Sequence, residues 1–167
     1  MAQALLTRHL ADRGLAGRVR SAGVVPGSAP ASDEAVEVMA ERGLDVSGHK
    51  SRRLDTSMID EAELILGMSR THVREVVVLD NDAFERTFTL KELVRRGVGV
   101  GPRRPEEALD EWLRRVGAGR ERSDLLGSST HDDIADPLRQ RVGVFETTAA
   151  EIDGLLSRLL SLIHPPR

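Results

Sequence analysis

The sequence predicts an α/β fold with a small, mainly parallel sheet, and three observations carry that expectation. Extended-looking runs at 18–25, 64–68 and 87–90 alternate with stretches of helical periodicity, the pattern of strands joined through helices. The run Leu64-Ile65-Leu66-Gly67-Met68 is continuously apolar, the form taken by a strand buried on both faces. The 167 residues are 40% hydrophobic and 31% charged, an ordinary balance for one globular domain with a proper core.

The elements follow in order. Residues 1–10 place Ala2, Leu5, Leu6, His9 and Leu10 on one helical face, with Gly14 as the stop. No Ser, Thr, Asp or Asn precedes the first periodic residue, so this helix starts without a side-chain cap for its first N–H groups. His9, on the apolar face, is expected to be a partly buried core histidine. Residues 18–25 read as a strand between Gly17 and Pro26-Gly27. A second helix starts at Ser32, with Asp33 and Glu34 in its first turn and Gly43 beyond its end. Residues 45–54 form a polar connector. Thr56 or Ser57 is the expected cap of a short turn ending at Glu63.

After the apolar strand, Ser69 caps a helix through His72, Val73, Val76 and Val77. Thr87-Phe88-Thr89-Leu90 is a short strand, followed by a helix over 91–96 with Gly97 as its stop. Pro105-Glu106-Glu107 opens another helix, whose buried face is Ala108, Leu109, Trp112, Leu113 and Val116. Residues 117–133 are polar and rich in Gly and Ser, and read as a mobile loop. His131-Asp132-Asp133 within it offers a single imidazole, so a solvated acidic loop is preferred to a metal site. Asp136-Pro137 punctuates the chain. A final helix over 141–163 presents Val144, Ala149, Ile152, Leu155, Leu156, Leu159 and Leu162.

Composition narrows the chemistry. There is no Cys, which excludes disulfides, thiolate metal sites and a cysteine nucleophile for this sequence. No metal or other cofactor is expected. A formal net charge of -3 gives no electrostatic reason to expect nucleic acid. The most apolar stretch, 152–163, is interrupted by Asp153, Ser157 and Arg158 and is too short for a membrane span. Cytoplasm is the expected compartment, and nothing in the sequence sets an oligomeric state.

Several segments, in collinear order, resemble the low-molecular-weight protein-tyrosine phosphatase family. Met1-Ala2-Gln3-Ala4-Leu5-Leu6 resembles the helix after that family's phosphate loop, where Ser-Pro-Met-Ala-Glu-Ala-Leu is usual. Ser21-Ala22-Gly23 resembles the end of its second strand. The most specific match is Gly43-Leu44-Asp45-Val46-Ser47-Gly48-His49-Lys50-Ser51-Arg52, similar to Gly-Ile-Asp-x-Ser-x-His-x-Ala-Arg. Residues 64–68 resemble the strand that follows, and Asp133-Ile134-Ala135-Asp136-Pro137 the late Asp-x-x-Asp-Pro segment. The resemblance implies a three-layer αβα domain over 1–167 with a four-stranded sheet in the family.

The family's first strand and its Cys-x-x-x-x-x-Arg loop have no counterpart in this sequence. The expectation is that the reading frame starts further upstream and that Met1 is an internal methionine. In the family the loop amides and Arg cradle the phosphoryl group, and a thiolate attacks phosphorus. An Asp then protonates the leaving oxygen and later activates water. That acid carries over onto Asp136, although Leu138-Arg139 stands where an aromatic residue and Gly are usual. The plain alternative for Asp136 is a turn-initiating Asp before Pro. Ser21 and His49 match residues that support the phosphate loop; the alternative is a strand-end hydroxyl and a loop histidine satisfied locally.

Partners implied by the resemblance are a phosphotyrosine protein or a small phosphomonoester, once the loop is restored. Without a nucleophile the chain is expected to be inactive. A non-catalytic binding or regulatory module on the same fold is the rival reading. Arsenate reductase, which needs several cysteines, is the weaker one.

Overall fold

The computed structural model describes residues 1–25 and 28–165, so the Pro26-Gly27 turn lies outside the described residues. The order is α1 (Ala2–Asp12), α2 (Asp33–Ala40), α3 (Thr56–Asp60), β1 (Ile65–Gly67), α4 (Arg70–Leu79), β2 (Thr87–Thr89), α5 (Leu90–Val100), α6 (Leu109–Gly117) and α7 (Val142–Ile163). Two 3-10 turns, Asn81–Arg86 and Arg122–Leu125, complete it. The mixed α/β architecture with a small parallel sheet is the one the sequence predicts. The chain forms two compact units, Met1–Leu54 with Ala135–Ser157, and Asp55–Ile134 with Arg158–Arg167.

In the first unit, α1 starts without a side-chain cap, as its sequence foretold, and Gly14 ends it at φ +63°. Leu5 is fully buried on its inner face. His9 is half-buried and held from both ring nitrogens. Its Nε2 lies 2.8 Å from Asp153 Oδ1, and Arg13 Nη1 lies 3.0 Å from its Nδ1. Because Arg can only donate, Nδ1 accepts and Nε2 carries the proton. Ser32 caps α2 by accepting the Ala35 N–H, and Asp33 and Glu34 occupy the first turn. Along the part of α7 in this unit, Phe145, Thr148, Ala149, Ile152 and Leu156 are buried. Val144 and Leu155, expected in that face, are only half-buried.

The strand expected over 18–25 does not form. The segment makes one isolated parallel bridge, Gly23 to Arg53, in which Gly23 N–H donates to Arg52 C=O and Leu54 N–H donates to Gly23 C=O, both at 2.9 Å. A strand is defined by a partner along its length, and the Val19 carbonyl instead accepts from the Gln3 side chain. Among the described residues the sheet therefore has two strands rather than the three expected.

Those two strands lie in the second unit. They pair in parallel, with Ile65 opposite Thr87, Leu66 opposite Phe88 and Gly67 opposite Thr89, and α4 makes the crossover. A Cβ on Gly67 would stand 3.0 Å from Val73 Cγ2 and 3.1 Å from the Ser69 carbonyl, so a side chain would crowd the place where β1 turns into α4. Ser69 caps α4 as predicted, and the β-branched run 76–78 stays helical to Leu79. β1 is less buried than its apolar run suggested, with Ile65 and Leu66 half-covered. β2 is buried throughout despite two threonines, because both hydroxyls are used. Thr87 Oγ1 donates to Ala83 C=O at 2.7 Å, and Thr89 Oγ1 accepts the Glu92 N–H at 3.1 Å, capping α5.

Three boundaries move from their predicted places. Asp55, one residue ahead of the expected caps, accepts from both Met58 N–H and Ser57 Oγ and starts α3, which ends at Asp60 rather than Glu63. α5 runs straight through Gly97 to Val100, because Gly97 is a contact point and not a stop. Trp112 Cζ2 and Leu162 Cδ1 would lie 3.2 and 3.0 Å from a Cβ there. α6 begins only after Ala108, whose N–H donates to Glu111 Oε2 at 3.1 Å. Of its predicted inner face, Trp112, Leu113 and Val116 are buried, whereas Leu109 is half-buried and Ala108, ahead of the helix, is exposed.

The segment 117–133, expected to be a mobile and solvated loop, is tied down by ion pairs. Arg120 and Asp132 within it are both largely buried. Asp132 receives Arg70 Nη2 at 2.7 Å and Arg95 Nη2 at 2.8 Å. Burial pushes the Asp132 carboxyl up, and the hydrogen bonds from Arg95 and Arg70 more than offset this, leaving it below the ordinary aspartate value. Asp133 accepts the Arg70 N–H at 2.8 Å, placing a negative charge at the N-terminus of α4, and also accepts the Ser129 N–H. Among the described residues no helix is long and apolar enough to cross a membrane.

Candidate functional site

Ser21, His49 and Asp136 all fall in the first unit. Ser21 follows the extended segment after α1 and is half-buried. Its Oγ donates to Gln3 Oε1 at 2.5 Å, while Gln3 Nε2 donates to Val19 C=O at 3.3 Å. One carboxamide in the first turn of α1 thus fixes the chain on either side of Arg20. Gln3 was not singled out by sequence, where it reads as one polar position on an amphipathic helix.

His49 sits in a turn built by Asp45. The Asp45 carboxylate accepts Ser47 Oγ at 2.7 Å and Ser47 N–H at 2.8 Å, and these bonds hold its carboxyl below the ordinary range. His49 N–H then donates to Val46 C=O at 3.0 Å, closing the turn over the buried Val46 side chain. The imidazole is half-buried. The chain continues beside the segment that carries Ser21. Ser51 N–H donates to Ala29 C=O at 2.9 Å, and Ala29 N–H to Ser51 Oγ at 2.8 Å. Together with the Gly23–Arg53 bridge, this holds Gly23 and Ala29 against the stretch from Ser51 to Leu54.

Asp136 lies on the surface. Its Oδ1 accepts the Leu138 N–H at 3.0 Å, the local turn that an Asp before Pro commonly makes. Pro137 is buried and its carbonyl accepts the Gln140 N–H at 2.9 Å. Arg139 between them has φ +65°, the one non-glycine residue in the left-handed region among those described. That is the position where the resemblance leads one to expect Gly. The structure brings the Ser21 and His49 segments side by side; no hydrogen bond or ion pair joins Ser21, His49 and Asp136 to one another among the described residues.

The parallel pair of β1 and β2 joined through α4 is an α/β arrangement, the fold class of a phosphatase family that the chain matches in sequence. The chain belongs to the low molecular weight phosphotyrosine protein phosphatase family, whose family model matches residues 1–99. It is 34% identical over 120 residues to a probable low molecular weight protein-tyrosine-phosphatase, EpsP, of Ralstonia solanacearum, covering 71% of this chain and 80% of that one. It is 24% identical over 168 residues to the protein-arginine-phosphatase of Bacillus subtilis, across 100% of this chain and 89% of the relative. Among solved structures it resembles the low molecular weight protein tyrosine phosphatase from T. tengcongensis, with TM-score 0.70 and 28% identity over 96% of this chain and 87% of that chain. Against that family, the absence of any Cys in the sequence is the salient departure.

Proposed function

We propose that this chain is the body of a phosphatase domain that handles phosphorylated protein side chains or small phosphomonoesters, and that as given it does not turn them over. The observation that carries this reading is the pairing of family membership with a sequence that holds no thiol. The family's reaction begins with thiolate attack on phosphorus, and this sequence holds no thiol to make it. In this reading residues 1–167 act as one domain in the cytoplasm. Ser21 and His49 brace the phosphate-binding loop, and Asp136 is the acid that protonates the departing oxygen. The exposure of Asp136 and its single backbone bond leave one carboxylate oxygen open for that proton transfer.

Both a phosphotyrosine and a phosphoarginine side chain belong to the substrate class acted on by the named relatives. The scarcity of aromatic residues, three Phe, one Trp and no Tyr, offers little with which to line a slot for a phenol ring. The test is to join a strand and Cys-x-x-x-x-x-Arg loop of the family's pattern ahead of Met1 and assay an aryl phosphate. Turnover should appear, and D136N should lower kcat by about 100-fold or more, with the smallest loss on the best leaving groups. A fused, folded protein whose kcat is untouched by D136N would remove Asp136 from the acid's role.

A further inference from the structure

Within the first unit, Arg8, His9 and Arg13 converge on α7 around one carboxylate. Arg8 Nη2 and His9 Nε2 each lie 2.8 Å from Asp153 Oδ1. One turn further on, Arg13 Nη1 lies 3.0 Å from His9 Nδ1 and donates to the His9 carbonyl at 3.2 Å. Its Nη2 donates to Ser157 Oγ at 3.0 Å, so Arg13 ties the end of α1 to α7. The Arg42 carbonyl takes Arg8 Nη1 at 3.2 Å, while the Arg42 guanidinium is committed to the Val38 and Glu146 carbonyls. Among the described residues no second carboxylate pairs with Arg8, His9 or Arg13.

Both ring nitrogens of His9 are engaged, and one protonation state satisfies both contacts. The neutral ring with its hydrogen on Nε2 donates to Asp153 and accepts from Arg13. A second proton leaves the Asp153 bond in place and adds the attraction of opposite charges. On Nδ1, however, it sets a donor against a donor and a cationic ring against a guanidinium. Imidazole is the side chain that ordinarily changes charge between about pH 5 and 8.

We propose that His9 is a proton-controlled switch on the α1–α7 contact. Neutral, it seats Arg13 against Ser157. Protonated, it keeps Asp153 and expels Arg13, so the end of α1 loses its tie to Ser157 while Arg8 and His9 stay paired with Asp153.

The experiment follows the isotope-labelled 167-residue chain by NMR from about pH 8 down to about pH 5. At the alkaline end the His9 ring nitrogens should show the Nε2–H tautomer. On acidification the Ser157 amide and the Arg13 Nε–H should move with the same midpoint as the His9 ring. In H9Q, which keeps a donor for Asp153 but has no Nδ1, the movement at Ser157 should vanish. R13A should lower the melting temperature by about 1–3 °C at the alkaline end and melt as the parent does at the acid end. An Nδ1–H tautomer, a Ser157 amide that does not follow the His9 midpoint, or one that still titrates in H9Q would overturn the proposal. So would an equal loss from R13A at both ends of the range.

Discussion

Arg120 donates from Nε to Glu92 Oε1 at 2.8 Å, with side chains only 2% and 9% exposed. The guanidinium lies between two rings, 3.9 Å from the centroid of Phe88 and 4.4 Å from that of Phe84. Its remaining N–H groups donate to the Phe84 and Thr87 carbonyls at 3.0 and 2.8 Å. Desolvation pulls the Arg120 pKa down, and the Glu92 carboxylate is what keeps the buried cation tolerable. A charge buried this way fastens the polar segment after α6 to the start of β2 and the first turn of α5.

Removing Arg120 leaves Glu92 with Arg96 alone, 3.2 Å away, and empties the site between Phe84 and Phe88. R120A is expected to destabilise the chain by about 3–5 kcal/mol, and E92Q by less, because the amide still accepts a hydrogen bond. Denaturant melts of the two variants measure this. A loss under about 1 kcal/mol for R120A would mean that the pair is solvent-screened and not a clasp.

Two glycines in helices should respond in opposite directions. G97A forces a Cβ to within 3.0 Å of Leu162 Cδ1 and 3.2 Å of Trp112 Cζ2, and overpacking of this kind costs about 1–3 kcal/mol. Gly154, in α7, has nothing within 4 Å of a Cβ, so G154A should stabilise by roughly 0.5–1 kcal/mol. Thermal melts of the pair compare them directly, and equal shifts in the same direction would show that the contact at Gly97 is slack.

Arg139 offers a third substitution. At φ +65° an L side chain is strained by about 1–2 kcal/mol, and the extra freedom glycine has when unfolded offsets part of that. R139G is expected to raise stability by up to ~1 kcal/mol, read from the same melts. A destabilised R139G would indicate that the arginine side chain contributes contacts exceeding the strain.

Acid sensitivity should trace in part to Glu107. The side-chain hydrogen bond from Arg115, then the Arg104 N–H, hold its carboxyl at about 2 against an ordinary 4.5. A depressed carboxylate adds stability that is complete above its unfolded pKa and is lost as pH falls through the folded one. The loss therefore runs from about pH 4.5 down to about pH 2. E107Q should flatten the stability–pH curve across that window and leave its slope at higher pH alone. An unchanged slope below pH 4.5 would assign the acid sensitivity elsewhere, with Asp132 the next carboxylate to test.

How far the fold can be read from the chain depends on the range of the interaction. The starts of α2 and α4 were legible because Ser32 and Ser69 cap them locally, and the face of α6 because its periodicity needs no partner. Residues 18–25 have strand-like composition yet form no strand, since pairing is a property of two segments. Gly97 looks like a stop in one dimension and proves to be a close contact in three. The segment 117–133 misled for the same reason. Arg120 and Asp132 are charged, hence surface-like by composition, and only Glu92, Arg70 and Arg95, far off in sequence, make their burial possible. At the candidate site, Ser21, His49 and Asp136 were legible through resemblance alone. Their local bonds to Gln3, the Asp45 turn and Leu138 required the structure.

The central claim, that this is a phosphatase body without a nucleophile, meets its most direct test in the simplest assay. The purified 167-residue chain, shown to be folded by its melt, is incubated with phenyl phosphate and released phosphate is measured over hours. No release above that of a mock purification is expected. Steady turnover that follows the chain through purification would contradict it, because the hydrolysis would then proceed without a thiol.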